Sequence, residues 1–191
     1  MIASHFQKNK IPGKILILDP KPRIAPIGLG YRLAFEDLYP DIIQHVPNAV
    51  VKELDPFNKV IKTGAGDFKF DDAIFMGHHM AADLVWKLGA IGKTPDGKPT
   101  NWANVHPEFY NLKEDPQVFV IGDSVGAVSP QFGHYPKSGH VASRMGFSVA
   151  QYIGQQLKGK PMEPVMIDNL CFMLVNTEPL EAISVQFDYK K

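Results

Sequence analysis

The stretch from residue 117 to residue 139 constrains the fold more than any other part of the sequence. Its apolar run VFVI is typical of a strand buried on both faces, and the run ends in the pair Gly122-Asp123. A loop rich in glycine and proline follows, and Ser138 is a suitable N-cap for a helix predicted over residues 138–158. A strand, a loop and a helix N-terminus in this order form the arrangement in which α/β proteins bind ligands.

The same stretch suits a ligand that carries hydroxyl groups or negative charge. The free N–H groups and the dipole at the start of a helix favour an anion, and Lys137 adds a positive charge there. The carboxylate of Asp123 can accept hydrogen bonds from sugar-type hydroxyls. The residues alone leave two interpretations open, a cofactor site or a solvated loop that leads into a capped helix.

The first nineteen residues are typical of the end of a βαβ unit. Residues 1–10 predict an amphipathic helix, and residues 14–19 predict a buried strand that Asp19 closes. In a dinucleotide-binding unit, a glycine-rich turn precedes this helix, and the acid binds a ribose hydroxyl. The chain contains neither that turn nor the strand before it, so Asp19 is weak evidence for nucleotide binding, and an acid at the end of a strand is more often a helix or turn cap.

Hydrophobic periodicity predicts a mixture of helices and strands along the rest of the chain. The predicted elements are a short helix and loop over 31–45, antiparallel strands over 49–62 and 67–75, a buried strand ending at 74–77, a short helix over 81–91, a surface loop over 92–107, and strands over 165–175 and 180–190. The residues predicted to form the buried face of the helix over 138–158 are Val141, Met145, Val149, Tyr152, Ile153 and Leu157.

Composition excludes several classes of function. Lysine plus arginine and aspartate plus glutamate both number 20, so no basic stripe is available for nucleic acid. No apolar run is long enough to predict a membrane span. The adjacent histidines His78 and His79 diverge and have no further ligand at suitable spacing, so no metal site is predicted. Cys171 is the single cysteine, which excludes an intrachain disulfide and by itself indicates a buried thiol.

Two motifs carry a resemblance to a known family. The segment VFVIGDSVGA resembles the late FAD-contacting strand of the flavoprotein disulfide reductase superfamily. The segment HYPKSGHVASRMG, a helix, and then IDNLCFMLV and EAISVQFDY follow in an order that resembles the flavoprotein subunits of flavocytochrome c sulfide dehydrogenases, which are relatives of sulfide:quinone oxidoreductases. The resemblance extends over essentially the whole chain and is strongest from residue 117 onward.

The resemblance implies FAD as the cofactor. Asp123 would hydrogen-bond the hydroxyls of the ribityl chain, and the helix dipole with Lys137 would stabilise the negative charge that reduction places on the flavin. The implied cofactor-binding residues are Gly122, Asp123, Pro136, Lys137, Ser138 and Gly139, of which the last three would lie near the pyrimidine edge of the flavin.

The resemblance also changes the expected role of Cys171, which would become one half of a redox disulfide beside the flavin. Sulfide would attack that disulfide to form a persulfide, and two electrons would pass through the flavin to a c-type cytochrome subunit. A quinone is the alternative acceptor, although the short closing segment has no amphipathic helix for membrane docking. The family implies a periplasmic location.

The chain departs from the family in three respects. It lacks the Gly-x-Gly-x-x-Gly fingerprint and the partner cysteine, and Gly77-His78-His79 stand where the family tends to have apolar residues or proline. We therefore expect the C-terminal half of such an enzyme, inactive as an isolated fragment. The alternatives are that a separate chain supplies the N-terminal half, or that the chain is a pseudoenzyme or a non-catalytic assembly module.

The predicted fold class is α/β, an incomplete flavoprotein fold with two dinucleotide-binding domains and a C-terminal β interface segment. The predicted division is a partial NAD-like nucleotide-binding domain at 1–115, a strand and helix of the FAD domain at 116–160, and a flavin-binding or interface segment at 161–191.

Overall fold

The computed structural model describes residues 1–25, 27–129, 133–163 and 166–187. The chain divides into two compact units, Met1–Phe75 with Cys171–Val185, and Met76–Leu170 with Gln186–Lys191. Helices and short strands occur in both units, which confirms the α/β class. The predicted domain boundaries near residues 115 and 160 stay a prediction.

The first unit begins with helix α1, as the amphipathic pattern predicts. Its elements in chain order are α1 (Ile2–Lys8), β1 (Ile15–Leu18), α2 (Gly28–Leu33), a π-helical turn (Ala34–Leu38), β2 (Ile43–Val46), β3 (Val51–Asp55), β4 (Val60–Thr63) and β5 (Gly66–Lys69).

Strands β1 and β2 pair in parallel, with Ile15 opposite Ile43 and Leu18 opposite Val46. The prediction of β1 is confirmed, but burial on both faces is wrong, because within the described residues the sheet has two strands and Leu16 is 37% exposed. The prediction of helix and loop up to residue 45 missed β2. Its four residues are too short a run to show an alternating pattern, and its pairing with β1 decides its conformation.

Strands β3 to β5 form an antiparallel meander, as predicted. The β3–β4 turn is held by Asp55, whose Oδ1 accepts hydrogen bonds from the N–H groups of Phe57 (3.0 Å) and Asn58 (2.9 Å). The predicted strand ending at residues 74–77 is wrong. These residues have no regular secondary structure, and Ile74 is 80% exposed. No described strand pairs with this segment, so an apolar run alone does not make it a strand.

The second unit is built around one long helix. Its elements are α3 (Asp83–Lys87), β6 (Ile91–Lys93), β7 (Pro99–Ala103), a 3-10 turn (Gly122–Ser124), β8 (Ala127–Ser129), β9 (Gly133–His134) and α4 (Gly139–Leu157). The helices predicted over 81–91 and 138–158 are confirmed as α3 and α4. The predicted surface loop over 92–107 is wrong, because β6 pairs with β7 and Ala103 and Val105 are buried in the core.

The apolar stretch over residues 117–123 is the main correction to the predicted fold. It forms no strand; Phe119 makes one isolated bridge to Asn111, and the Gly122–Ser124 turn follows. Val118 and Val120 pack against the buried cluster. The run is apolar because it lies on the core beside α4, and burial of that kind cannot be distinguished from burial in a sheet by sequence alone.

The core of the second unit lies against one face of α4. Val141 and Met145 of α4 are almost completely buried, together with Tyr110 and Ile167. The predicted buried face is wrong at its C-terminal end, where Ile153 is exposed and Leu157 is 84% exposed. Tyr152 still contacts the Phe109 ring (4.8 Å between centroids), but the helix extends beyond the buried cluster at Ile153 and Leu157.

The chain closes with β10 (Asn169–Thr177) and β11 (Leu180–Phe187), which form a two-stranded sheet and confirm the predicted strands. In the first unit, the buried Ser4 of α1 donates a hydrogen bond to Asn176 (3.0 Å), and the Tyr39 hydroxyl donates one to the Val175 carbonyl (2.6 Å). Along the described chain, no helix combines the length and apolar character needed to cross a bilayer.

Replacing Met145 tests whether α4 organises the second unit. Met145 is 1% exposed, so Met145→Ala should lower the free energy of unfolding by about 2–5 kcal/mol through lost burial and a cavity. The matched control is Phe147→Ala on the same helix, where the side chain is 68% exposed and the loss should stay within about 0.5 kcal/mol. Urea unfolding measures both, and equal losses would contradict the assigned core.

Candidate functional site

The turn at Gly122 is pressed against the start of α4. Gly122 has φ +71°, a left-handed conformation that glycine adopts without strain. A Cβ atom there would lie 3.3 Å from the Cβ of Ala142, and the Gly122 N–H donates to the Met145 sulfur at 3.1 Å. Glycine is therefore required by both the backbone conformation and the close helix.

Asp123 follows in the same turn with its side chain exposed to solvent. The turn is held at Asp123 and at the next residue, because the Asp123 carbonyl accepts a hydrogen bond from Lys137 Nζ (2.7 Å) and the Ser124 hydroxyl accepts one from the Ala82 N–H (3.1 Å). Among the described residues, no donor hydrogen-bonds the Asp123 carboxylate. The arrangement therefore presents an oriented carboxylate that can accept hydroxyl groups of a ligand.

Helix α4 begins at Gly139 with Ser138 as its N-cap, as the sequence predicts. The Ser138 hydroxyl accepts a hydrogen bond from the Val141 N–H (3.3 Å) and donates one to the buried Asn169 side chain (3.4 Å). The first turn contains no acidic residue, and the space beside Gly139 is open. The positive end of the helix dipole therefore faces a region that an anionic group can enter.

Lys137 lies between the helix start and the turn. Its Nζ donates to the carbonyl oxygens of Asp123 (2.7 Å) and Val125 (2.6 Å), and it lies 3.9 Å from the centroid of the Trp102 ring. Burial lowers the pKa of Lys137 from its ordinary value, and the charge of Asp123 opposes that shift. The ammonium group is thus directed at the protein's own backbone.

His134 completes this cluster. Its ring centroid lies 5.6 Å from that of Trp102. Burial, and to a smaller extent the charge of Lys137, lowers the pKa of His134. Near neutral pH the imidazole is therefore uncharged, and Lys137 is the cation that faces the indole.

The structure brings the six implied cofactor-binding residues together in the second unit. Pro136 is half-buried and joins the buried Tyr135 to Lys137. Sequence reasoning missed Trp102 and His134, because Trp102 lay in a predicted loop and no local signal connects two residues so far apart in the chain.

Cys171 is the third residue of β10 and belongs to the first unit. It is half-buried, and its neighbours Leu170 and Phe172 are exposed, as strand alternation requires. No other cysteine is available in the 191 residues to pair with it.

Asp19 acts in the structure as a turn cap. Its Oδ1 accepts hydrogen bonds from the N–H and Nζ of Lys21 (both 2.9 Å), and its Oδ2 lies 3.3 Å from His45 Nε2. Burial is the largest influence on the Asp19 carboxyl and opposes ionisation, but the hydrogen bonds from Lys21 and His45 outweigh it and lower the pKa.

Two other features contribute no chemistry to this site. A cavity of about 1000 Å³ opens in the first unit between the segment after β1, helix α2 and strand β2. His78 and His79 are exposed, and within the described ranges no group of three histidine, cysteine or acidic residues is placed to hold a metal ion.

Comparison with solved structures identifies the class of fold. The chain is similar to an engineered water-forming NADPH oxidase bound to NADPH, with a TM-score of 0.61 and 18% identity over 91% of this chain and 37% of that one. The water-forming NADH oxidase from Lactobacillus brevis bound to NADH gives a TM-score of 0.57 and 19% identity over 84% and 35%. Reduced Bacillus anthracis CoADR-RHD gives a TM-score of 0.56 and 13% identity over 87% of this chain and 29% of that one.

The chain therefore shares the α/β fold of part of these structures, which confirms the predicted fold class. The chain spans about a third of the length of these structures. No protein-family model matches the chain, and no curated protein matches it by sequence. The narrower resemblance to sulfide dehydrogenases stays a prediction.

Two glycine substitutions test the geometry of the site. Gly122→Ala should lower the free energy of unfolding by about 1–2 kcal/mol, because alanine is strained in the left-handed conformation and its Cβ would crowd Ala142. Gly139→Ala has open space and should leave stability unchanged or raise it by up to about 1 kcal/mol. Urea unfolding compares the two variants, and a loss of the same size in both would contradict the described turn.

Proposed function

We propose that the chain is part of an FAD-dependent oxidoreductase and that the Gly122–Ser124 turn and the start of α4 bind the flavin. The observation that carries the proposal is the exposed carboxylate of Asp123 on a turn that is held by hydrogen bonds from Lys137 and from the Ala82 N–H. Its acceptor oxygens suit the hydroxyl groups of a ribityl chain.

The helix start supports the same proposal from the other side of the ligand. The N-terminus of α4, whose first turn carries no acidic residue, suits the pyrimidine edge, which becomes electron-rich when the flavin is reduced. Open space beside Gly139 leaves room for a ring to approach the backbone. Bound FAD would accept two electrons from the substrate and pass them on.

The proposed substrate is sulfide and the proposed acceptor is a c-type cytochrome in the periplasm. This rests on the order of Gly122-Asp123, the Pro136–Gly139 segment and Cys171, which resembles sulfide dehydrogenase flavoproteins. Hydrosulfide would attack one sulfur of a disulfide, leaving a persulfide there and releasing the other cysteine as a thiolate. Cys171 supplies one of these sulfurs, and the second would come from outside these 191 residues.

Titration with FAD tests the flavin site directly. Asp123→Asn should raise the dissociation constant for FAD by about 10- to 100-fold, because hydrogen bonds to a charged group contribute about 1.5–3 kcal/mol. Asp83→Asn, at an exposed aspartate of α3, is the matched control and should bind as the unsubstituted chain does. Flavin fluorescence reports binding, and equal affinities for both variants, or no binding by the unsubstituted chain, would contradict the proposal.

A second candidate function, an assembly module without its own chemistry, is favoured by unpaired apolar surface. Ile74 is 80% and Met76 79% exposed, and the parallel β1–β2 pair has two strands within the described residues. Parallel sheets are normally covered on both faces, and open strand edges pair with other chains. The expected partner is a polypeptide that adds strands to this sheet.

Light scattering after size exclusion tests the assembly module. If the exposed segment mediates association, the unsubstituted chain should form oligomers at high micromolar concentration, and Ile74→Lys should shift them toward monomer. Leu157→Lys, at an equally exposed apolar residue at the end of α4, should not. A chain that stays monomeric, or two variants with the same effect, would exclude association through this segment.

A further inference from the structure

We infer that Lys137 is a positioning residue, which fixes the Gly122–Val125 turn so that Asp123 faces the ligand, and that Trp102 holds Lys137 in that role. The geometry of the cluster carries this inference independently of any ligand. Only its consequence for FAD rests on the function proposed for the site.

Two backbone carbonyl groups of the turn accept hydrogen bonds from Lys137. Lys137 Nζ donates to the carbonyls of Asp123 at 2.7 Å and Val125 at 2.6 Å, which are two residues apart in the chain. Hydrogen bonds from a charged donor are stronger than those between neutral groups. One ammonium group that bridges two such carbonyls fixes the peptide planes that follow Asp123 and Val125. The direction of the Asp123 side chain is set by the same backbone.

Trp102 lies against the Lys137 ammonium group, which the two carbonyls do not fully cover. The Trp102 ring lies 3.9 Å from Nζ, a distance at which the face of an indole attracts a cation. Strand β7 supports the same turn through its next residue, because Ala103 bridges to Val125. Trp102 thereby covers the ammonium group from an element that is already attached to the turn.

Gly126 lets the large Trp102 side chain lie close to the turn. A Cβ atom at Gly126 would lie 3.2 Å from the Cβ of Trp102 and 3.6 Å from the Ala103 carbonyl. The absence of a side chain at Gly126 therefore lets β7 approach. The centroid of the His134 ring lies 5.6 Å from that of the Trp102 ring, and burial and the charge of Lys137 lower the pKa of His134.

The consequence is that Lys137 acts on a ligand through Asp123. A lysine that contacted the flavin directly would contribute binding energy separately from Asp123. A lysine that only orients Asp123 loses its effect once the Asp123 carboxylate is removed. The two roles are therefore separated by whether the effects of two substitutions add.

Hydrogen exchange of the complete chain tests the positioning role without any ligand. Lys137→Met keeps the length of the side chain and removes its charge, and we expect the amides of residues 122–126 to exchange at least about tenfold faster. Trp102→Leu should also make these amides exchange faster, whereas Trp102→Phe, which keeps an aromatic face, should retain most of the protection. Lys160→Met, at an exposed lysine beyond α4, is the control and should change nothing.

The double substitution gives a sharper criterion. Because Trp102 acts through Lys137, adding Trp102→Leu to Lys137→Met should cause little further increase in exchange. The inference would be overturned if Lys137→Met left the exchange rates unchanged. It would also be overturned if the rate increase in the double variant equalled the product of the increases in the two single variants.

FAD titration then links the turn to the ligand. Lys137→Met should weaken FAD binding by about tenfold, and should have almost no additional effect in an Asp123→Asn background. Independent effects of the two substitutions would overturn the positioning role while leaving the flavin site intact. If the unsubstituted chain binds no FAD, the proposed function fails, and the hydrogen-exchange result still decides whether Lys137 holds the turn.

Discussion

The second unit depends on the close packing of the Gly122 turn against helix α4. Gly122 adopts a left-handed conformation and lies so close to the helix that an added Cβ atom would be 3.3 Å from the Cβ of Ala142. Its N–H donates a hydrogen bond to the sulfur of the buried Met145. The same helix contributes Val141 to the core. A larger residue at position 122 would separate the turn from the helix, and the core and the candidate site would change together.

In this packing, the side chains of the two charged residues of the site, Lys137 and Asp123, point in opposite directions. Lys137 points inward to backbone carbonyls and the indole of Trp102, where burial lowers its pKa. Asp123 points outward with an exposed carboxylate. A fixed cation behind an accessible anion suits a ligand that is recognised through hydroxyl groups. In the core of the same unit, burial and then the neighbouring Tyr135 raise the pKa of the fully buried Tyr110, so the Tyr110 phenol stays neutral.

The first unit has a different character, because much of its apolar surface is uncovered. The short parallel pair β1–β2 and the exposed segment around Ile74 contrast with the antiparallel meander β3–β5, whose turns are stabilised by their own side chains. This chain matches 29–37% of the length of the similar solved structures. The assembly-module proposal follows from that exposed surface, and the flavin proposal from the second unit.

The sequence by itself determined the features whose causes are local. Helix α4 and its Ser138 cap, the turns of the β3–β5 meander and the final pair of strands follow from periodicity, capping and turn chemistry within a few residues. The tertiary structure alone decided that the apolar run before Gly122 packs as coil, that Ile74 stays exposed and that β2 and β7 are strands, because each depends on partners distant in the chain. It also placed Trp102 over Lys137, a contact between residues 35 positions apart that no local pattern encodes.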